Sequence, residues 1–251
     1  MFLLKTRNSR ISTFIFILIL AGTLQASAAK TVVTYYSSDS VRITADHYFQ
    51  ADSLPYVILL HEQKASRGEF QPVVKRFLKM NFNCLVVDLR NGDETNYISN
   101  ETVKCCRASG ASQSFKMVEE DIHASISFVQ EISKEKIVLI GAGANGGLAL
   151  KVANENEAVY GCVALSPGEY FIPAMKIEQE ITGMQKPVLL TGTKFEHPYL
   201  EQMVSGIGES YKSVFSPMEH EGARSVQAFL PENPSNGEYW LALLLFIKDI
   251  N

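Results

Sequence analysis

The residues that could do chemistry in this chain are few and far apart. Gly141, Gly143 and Gly146 lie in the run Lys136 to Ala153, KIVLIGAGANGGLALKVA. Ser166 ends the apolar run from Gly161, Glu196 follows the run Pro187 to Thr191, and His220 stands in Glu219-His220-Glu221-Gly222. Two chemistries use a glycine turn of this kind. In one, G-x-G-x-x-G lets a dinucleotide pyrophosphate approach the backbone at a helix N-terminus, and Gly141, Gly143 and Gly146 fit that spacing. In the other, G-x-S-x-G, a strained turn lifts a serine above a sheet for activation by a histidine and an acid. On that alignment Gly141 is the first glycine, Gly143 holds the nucleophile position and Asn145 the last glycine. The turn survives and the hydroxyl is gone.

Either turn needs a strand before it and a helix after it. Ile137 to Gly141 is a short apolar run rich in β-branched residues, as a buried parallel strand requires, and Leu148, Ala149, Leu150 and Val152 open a helix. Upstream, TVVTYY and VRITADHYF flank Ser37 to Ser40, which predicts a hairpin over Thr31–Phe49. Tyr56–His61 and Cys84–Leu89 read as strands and Arg67–Met80 as a helix between them. Residues 90–115 read as a long polar loop, and Met117–Ile132 as an amphipathic helix. Downstream, strands are expected at Gly161–Leu165, Pro187–Thr191 and Lys212–Phe215. Helices are expected at Tyr170–Ile181, His197–Ile207 and Glu238–Ile250, the last apolar almost all round. A hairpin followed by alternating strands and helices predicts an α/β protein. Its central sheet should be mainly parallel, with an N-terminal antiparallel hairpin and helices on both faces.

Chain position separates the two turns. At least two strand–helix units precede Gly141, whereas a dinucleotide turn usually follows the first strand of its unit. The ribose-binding acid expected about 20 residues on is missing, since that strand ends Leu165-Ser166-Pro167 and Glu169 comes late. The parts that the elbow reading requires occur in order. His61-Glu62-Gln63 ends the strand that supplies one oxyanion N–H, with Ala144 as the other donor. Glu196 then stands as acid and His220 as base.

This arrangement resembles the α/β-hydrolase family, in particular its small dienelactone-hydrolase-like branch, over roughly residues 55–248. The matching segments are VILLHEQKASRGEF, CLVVDLRNG, IVLIGAGANGGLAL, LSPGEYF and EHEGA, the last with Glu221 inserted before Gly222. The resemblance implies an α/β-hydrolase fold in which Gly143 replaces the nucleophilic serine. It also implies that the acid position falls near Phe195 or Glu196 and that His220 is kept. Catalytic roles then fall to His220 and Glu196, and ligand contacts to His61, Glu62, Gly143, Ala144 and Glu169. Arg67 and Glu69 could line the same pocket. Acyl transfer needs an oxygen or sulfur nucleophile, and glycine has neither. The expectation is therefore a binding protein for a small carbonyl or carboxylate ligand, or for a partner. The alternative is an active hydrolase of small esters or lactones, using Ser166 or water. Dinucleotide binding is the minor alternative.

Each residue also has a plain reading. His220 suits a surface loop, Glu196 a solvated position, Asp88 a strand-end cap, Ser166 and Glu169 helix caps, and His61 loop geometry.

Residues 1–28 read as a signal peptide. Lys5, Arg7 and Arg10 precede an apolar stretch centred on Phe14 to Leu20, and Ala26-Ser27-Ala28 is a cleavage site. The stretch is short of the about 20 residues that span a bilayer. The mature chain, residues 29–251, is then one secreted or periplasmic domain without stable membrane insertion. Its loss of three basic residues adds to the formal charge of −4, which with no basic patch excludes a nucleic-acid partner. Cys84 and Cys162 fall in strand patterns and read as buried thiols. Cys105-Cys106, in the polar loop, reads as a pair open to oxidation, with pairing left open. No cysteine or histidine spacing implies a metal, and no cofactor is expected.

Overall fold

A computed structural model describes residues 29–250, so the signal-peptide segment lies outside the described residues. The chain runs β1 (Ala29–Tyr36), β2 (Arg42–Phe49), β3 (Tyr56–Leu60), a 3₁₀ turn (Arg67–Phe70), α1 (Val74–Lys79) and β4 (Asn83–Asp88). It continues through β5 (Glu94–Thr95), β6 (Ile98–Ser99), α2 (Glu101–Ser109), α3 (Phe115–Ile132), β7 (Ile137–Ala142) and α4 (Gly143–Glu155). It closes with β8 (Val159–Leu165), α5 (Ile177–Glu180), β9 (Val188–Thr191), α6 (His197–Met203), β10 (Lys212–Phe215), a second 3₁₀ turn (Ser225–Phe229) and α7 (Asn236–Ile250).

Eight strands form one sheet in the order β1-β2-β4-β3-β7-β8-β9-β10. The first two pairings are antiparallel and the rest parallel. Side chains alternate across the sheet. Tyr56, Ile58, Leu60 and Leu139 join Val118, Ile122, Ile126 and Val129 of α3 and Leu148 and Val152 of α4 in one core. Val57, Leu59, Val138 and Ile140 join Phe77 of α1 and Tyr239, Trp240 and Leu243 of α7 in the other. Each such aliphatic or aromatic side chain contributes roughly 1.5–3 kcal/mol by leaving water. No helix among the described residues is long and apolar enough to cross a membrane.

Two guanidinium groups, one fully buried and one half-buried, tie the loops to this frame. Arg90, fully buried, pairs with Asp121 at 2.6 Å and with Asp39 at 2.6 Å. Arg67 pairs with Asp46 at 3.1 Å and also with Asp88, whose oxygens accept the Arg67 and Glu101 backbone N–H groups. Arg67 and Asp88 are thus spent on holding the 3₁₀ turn and α2 to the strand ends.

Three expectations are corrected. Residues 90–115 contain the β5–β6 ribbon and α2, capped by the Asn100 side chain at its start and by Gly110 (φ 71°) at its end. Cys105 and Cys106 therefore lie on a helix, Cys106 sealed in the core, and all four cysteines are free thiols. The helix expected over Arg67–Met80 is broken, because Pro72 has no N–H to continue the ladder. That expected over Tyr170–Ile181 shrinks to the short α5.

Candidate active site

Because β3, β4, β7, β8, β9 and β10 run parallel, their C-terminal ends and following loops share one edge of the sheet, where such folds place their ligands. At the centre of that edge β7 turns directly into α4. A Cβ added to Gly141 would stand 2.8 Å from the Asn145 carbonyl oxygen, and one on Gly146 2.7 Å from the Gly141 carbonyl oxygen. Those two glycines let strand and helix touch. Gly143 is different: its φ is +54°, the left-handed region that glycine enters without cost. This is the sharp strand-to-helix turn of a nucleophile elbow, with a hydrogen atom where the nucleophile's side chain would begin.

The space above Gly143 is filled by Glu62. A Cβ at position 143 would lie 2.6 Å from Glu62 Oε1 and 2.7 Å from its Cδ and Cγ. The loop that carries Glu62 is braced from several sides. The Glu62 N–H donates to Glu69 Oε2 at 2.7 Å. The His61 imidazole is fully buried; its Nε2 accepts the Leu89 N–H at 2.9 Å, so Nδ1 donates to the Glu62 carbonyl at 2.7 Å. Asn145 Nδ2 donates to the His61 carbonyl at 2.6 Å, and its Oδ1 accepts from Asn91 at 2.7 Å. Burial pulls the His61 pKa down to about 4, which keeps the ring neutral. Burial pushes Glu69 up to about 7, against the lowering effect of the Glu62 N–H and with a further rise from the Glu62 charge.

On the far side of the edge, Glu196 is held by three partners. Its Oε1 accepts from Arg224 Nε at 2.8 Å, and its Oε2 accepts from Ser166 Oγ at 3.0 Å and from the Thr193 N–H at 3.0 Å. Ser166 Oγ accepts the Ser225 N–H at 3.0 Å in turn. Ser166 and Ser225 have φ of 49° and 54°, both unusual for a residue with a Cβ. Arg224 also donates to the Tyr170 hydroxyl at 3.0 Å, the leading cause of its raised pKa.

The structure brings Glu62, Gly143, Ala144 and His61 together around the turn, and among the described residues no hydrogen bond joins His220 to Glu196. His220 is exposed and forms no hydrogen bond among the described residues. Its neighbour Glu221 instead ties the loop to the segment after β9, through Lys194 N–H to the Glu221 carbonyl and Phe195 N–H to Glu221 Oε1, each 3.0 Å. The acid that would orient an imidazole is paired with a guanidinium. Glu169 lies elsewhere on this edge, both its oxygens taken by the Ile177 and Glu178 N–H groups at the start of α5. Ser166 is 1% exposed, too enclosed to reach a substrate. The dinucleotide reading fails on charge, since the close backbone approach a pyrophosphate needs at Gly143 is taken by a carboxylate.

Residues 43–213 fit the dienelactone hydrolase family model. The chain belongs to the dienelactone hydrolase family. Solved structures of the same fold include an esterase of Pyrococcus furiosus, 16% identical with TM-score 0.67, covering 88% of this chain and 91% of its own. A dienelactone hydrolase of Anabaena variabilis is 15% identical with TM-score 0.65, covering 88% and 96%. No curated protein matches.

Within the dienelactone hydrolase fold, then, this chain keeps the elbow backbone, and among the described residues the Ala144 N–H has no partner outside α4. The second expected oxyanion donor, Glu62 N–H, is already engaged by Glu69. Sequence reading gave Glu69 only as a pocket-lining residue by resemblance, and missed Arg224 and the bracing role of Asn145. Only Asn145, at a position where the elbow pattern has glycine, carried a local signal. Among the described residues no group of three or more His, Cys, Asp or Glu is arranged to hold a metal ion.

Proposed function

We propose that this dienelactone hydrolase family member has given up the acyl-serine route and uses its elbow to bind a small carbonyl-bearing ligand. One observation carries this: at the crest of the turn, Gly143 offers no hydroxyl or thiol, and a carboxylate covers it. The Ala144 N–H at the start of α4 is the donor that a carbonyl oxygen would meet once the Glu62 side chain moves aside. A neutral carbonyl suits the crest better than a carboxylate ligand, which would meet the charge of Glu62. Residues 1–28 fit export, so the site would meet compounds outside the cytoplasm. A fluorophosphonate probe tests the loss of the serine route: labelling of any serine above background would overturn it. N-terminal sequencing of the protein recovered from the producing cell tests export, with a start after Ala28 expected.

The second reading, a working hydrolase of small esters or lactones with another reactive group, is favoured by the same carboxylate.

A further inference from the structure

We propose that the outer face of α7, with the cations of α1 beside it, adsorbs this protein to an anionic phospholipid surface. The proposal is independent of the reading of the elbow. The sequence makes α7 apolar almost all round, yet the fold covers only one side of it. Tyr239, Trp240, Leu243, Phe246 and Ile247 pack into the core. Leu241, Leu244 and Leu245 are 56%, 36% and 52% exposed. With the exposed Lys248 they stand at positions i, i+3, i+4 and i+7, a single stripe along the helix. Exposed leucines scattered singly are ordinary; three on one helix face mark a contact surface.

The neighbouring helix supplies charge. In α1, VKRFLK, the side chains of Lys75, Arg76 and Lys79 are exposed, and the helix carries no acid. A groove of about 220 Å³ between the two helices is lined by Arg76, Lys79, Met80, Trp240 and Leu244. The Arg76 guanidinium lies over the Trp240 ring, 4.3 Å from its centre. Lys75, Lys79 and Lys248 form no ion pair or hydrogen bond among the described residues. Against these four cations α7 sets Glu238, whose Oε2 accepts the Met218 N–H at 2.9 Å, and Asp249. The whole chain carries a formal charge of −4, so the cluster runs against its average.

Leucines rimmed by lysine and arginine fit a surface that is apolar beneath and anionic above. The leucines enter the boundary of the acyl chains while the cations meet lipid phosphates, and the two attractions add. A second copy of this chain fits less well, because its own α1 would bring three more cations and no acid to the contact. The contact is peripheral, since no helix among the described residues is long and apolar enough to cross a membrane. It belongs to a helical layer of the fold and not to the sheet edge that carries Gly143.

The test uses residues 29–251, which contain every described strand and helix and lack the apolar 1–28 segment. Binding is read by flotation with vesicles of phosphatidylcholine alone and of phosphatidylcholine mixed with phosphatidylglycerol. The protein should float with the mixed vesicles, less so as sodium chloride rises from about 0.05 to about 0.5 M. Trp240 is the chain's single tryptophan, so lipids with brominated acyl chains should quench its fluorescence when this face meets the vesicle. Lys75→Gln with Lys79→Gln should weaken partitioning about 25-fold, roughly fivefold for each charge. Leu241→Gln with Leu245→Gln should weaken it about tenfold or more. All four positions are exposed, so the melting curve should be kept. Equal binding to both kinds of vesicle, or binding to neither, overturns the proposal. Binding that leaves Trp240 unquenched, or that survives the leucine substitutions, puts the contact on another face and overturns it too. A dimer in sedimentation that the leucine substitutions abolish, with no vesicle binding, gives the face to a second copy and equally overturns it.

Discussion

Restoring the missing serine should cost stability, and the cost should depend on Glu62. In Gly143→Ser the new Cβ meets two penalties. A residue with a side chain at φ +54° costs about 1–2 kcal/mol. The Cβ also lands 2.6 Å from Glu62 Oε1, which forces that side chain out of its place. Serine's narrower unfolded ensemble returns part of this, roughly 0.5 kcal/mol. Together the variant should lose about 2–3 kcal/mol, which for a domain of this size lowers Tm by roughly 4–12 °C. In a Glu62→Ala background the second penalty vanishes, and the same substitution should cost only about 1 kcal/mol. The double-mutant cycle should therefore show a coupling of about 1–2 kcal/mol between the positions. Urea denaturation of the four proteins measures it. Equal cost of Gly143→Ser in both backgrounds would mean that Glu62 does not fill the elbow, and the account of the site would fall. The single variant should also gain no esterase activity, since Glu196 is paired with Arg224 and holds no imidazole to serve the new hydroxyl.

Three further outcomes follow from the same contacts. Arg90→Met strands the buried Asp121 of α3 and should cost about 3–5 kcal/mol; a loss below 1 kcal/mol by denaturant titration would count against that pair as an anchor. Asn145→Gly restores the usual elbow residue but leaves the His61 carbonyl and the Asn91 amide without a partner, so it should destabilise by about 1–3 kcal/mol rather than stabilise. Glu69 titrates at about 7 in the fold, above its ordinary value. The folded form therefore takes the proton more readily than the unfolded chain. Its contribution is fully present below the ordinary carboxylate range and is lost as pH rises through about 7. The stability of the wild type relative to Glu69→Gln should thus rise on going from about pH 8 to about pH 5. An unchanged difference between the two midpoints would refute the shift.

The fold was legible because its strands are apolar runs too short to be anything else, and because α3 repeats its apolar residues at helical spacing. What escaped has local causes. Helix α2 buries little beyond Thr102, Val103 and Cys106, so periodicity is silent there, although Asn100 and Gly110 supply the cap signals at its two ends. Its place is set by long-range contacts, such as the Thr44 N–H donating to Thr102 Oγ1 at 2.9 Å. The site divides the same way. That residue 143 lies in a tight strand-to-helix turn can be read from the glycine spacing, and the order of the strands makes it the elbow crest. That Glu62 covers it cannot, because the two meet only when β3 and β7 pair in register, Leu60 beside Gly141. His220 shows the converse. Its spacing matches the family, but the inserted Glu221 carries the hydrogen bonds that fix its loop, while Arg224 claims the acid. A local motif specifies a backbone; which side chain then fills the space above it is decided by strands far apart in the chain. At this crest the two are one spatial fact: the Glu62 side chain lies where a side chain at position 143 would begin.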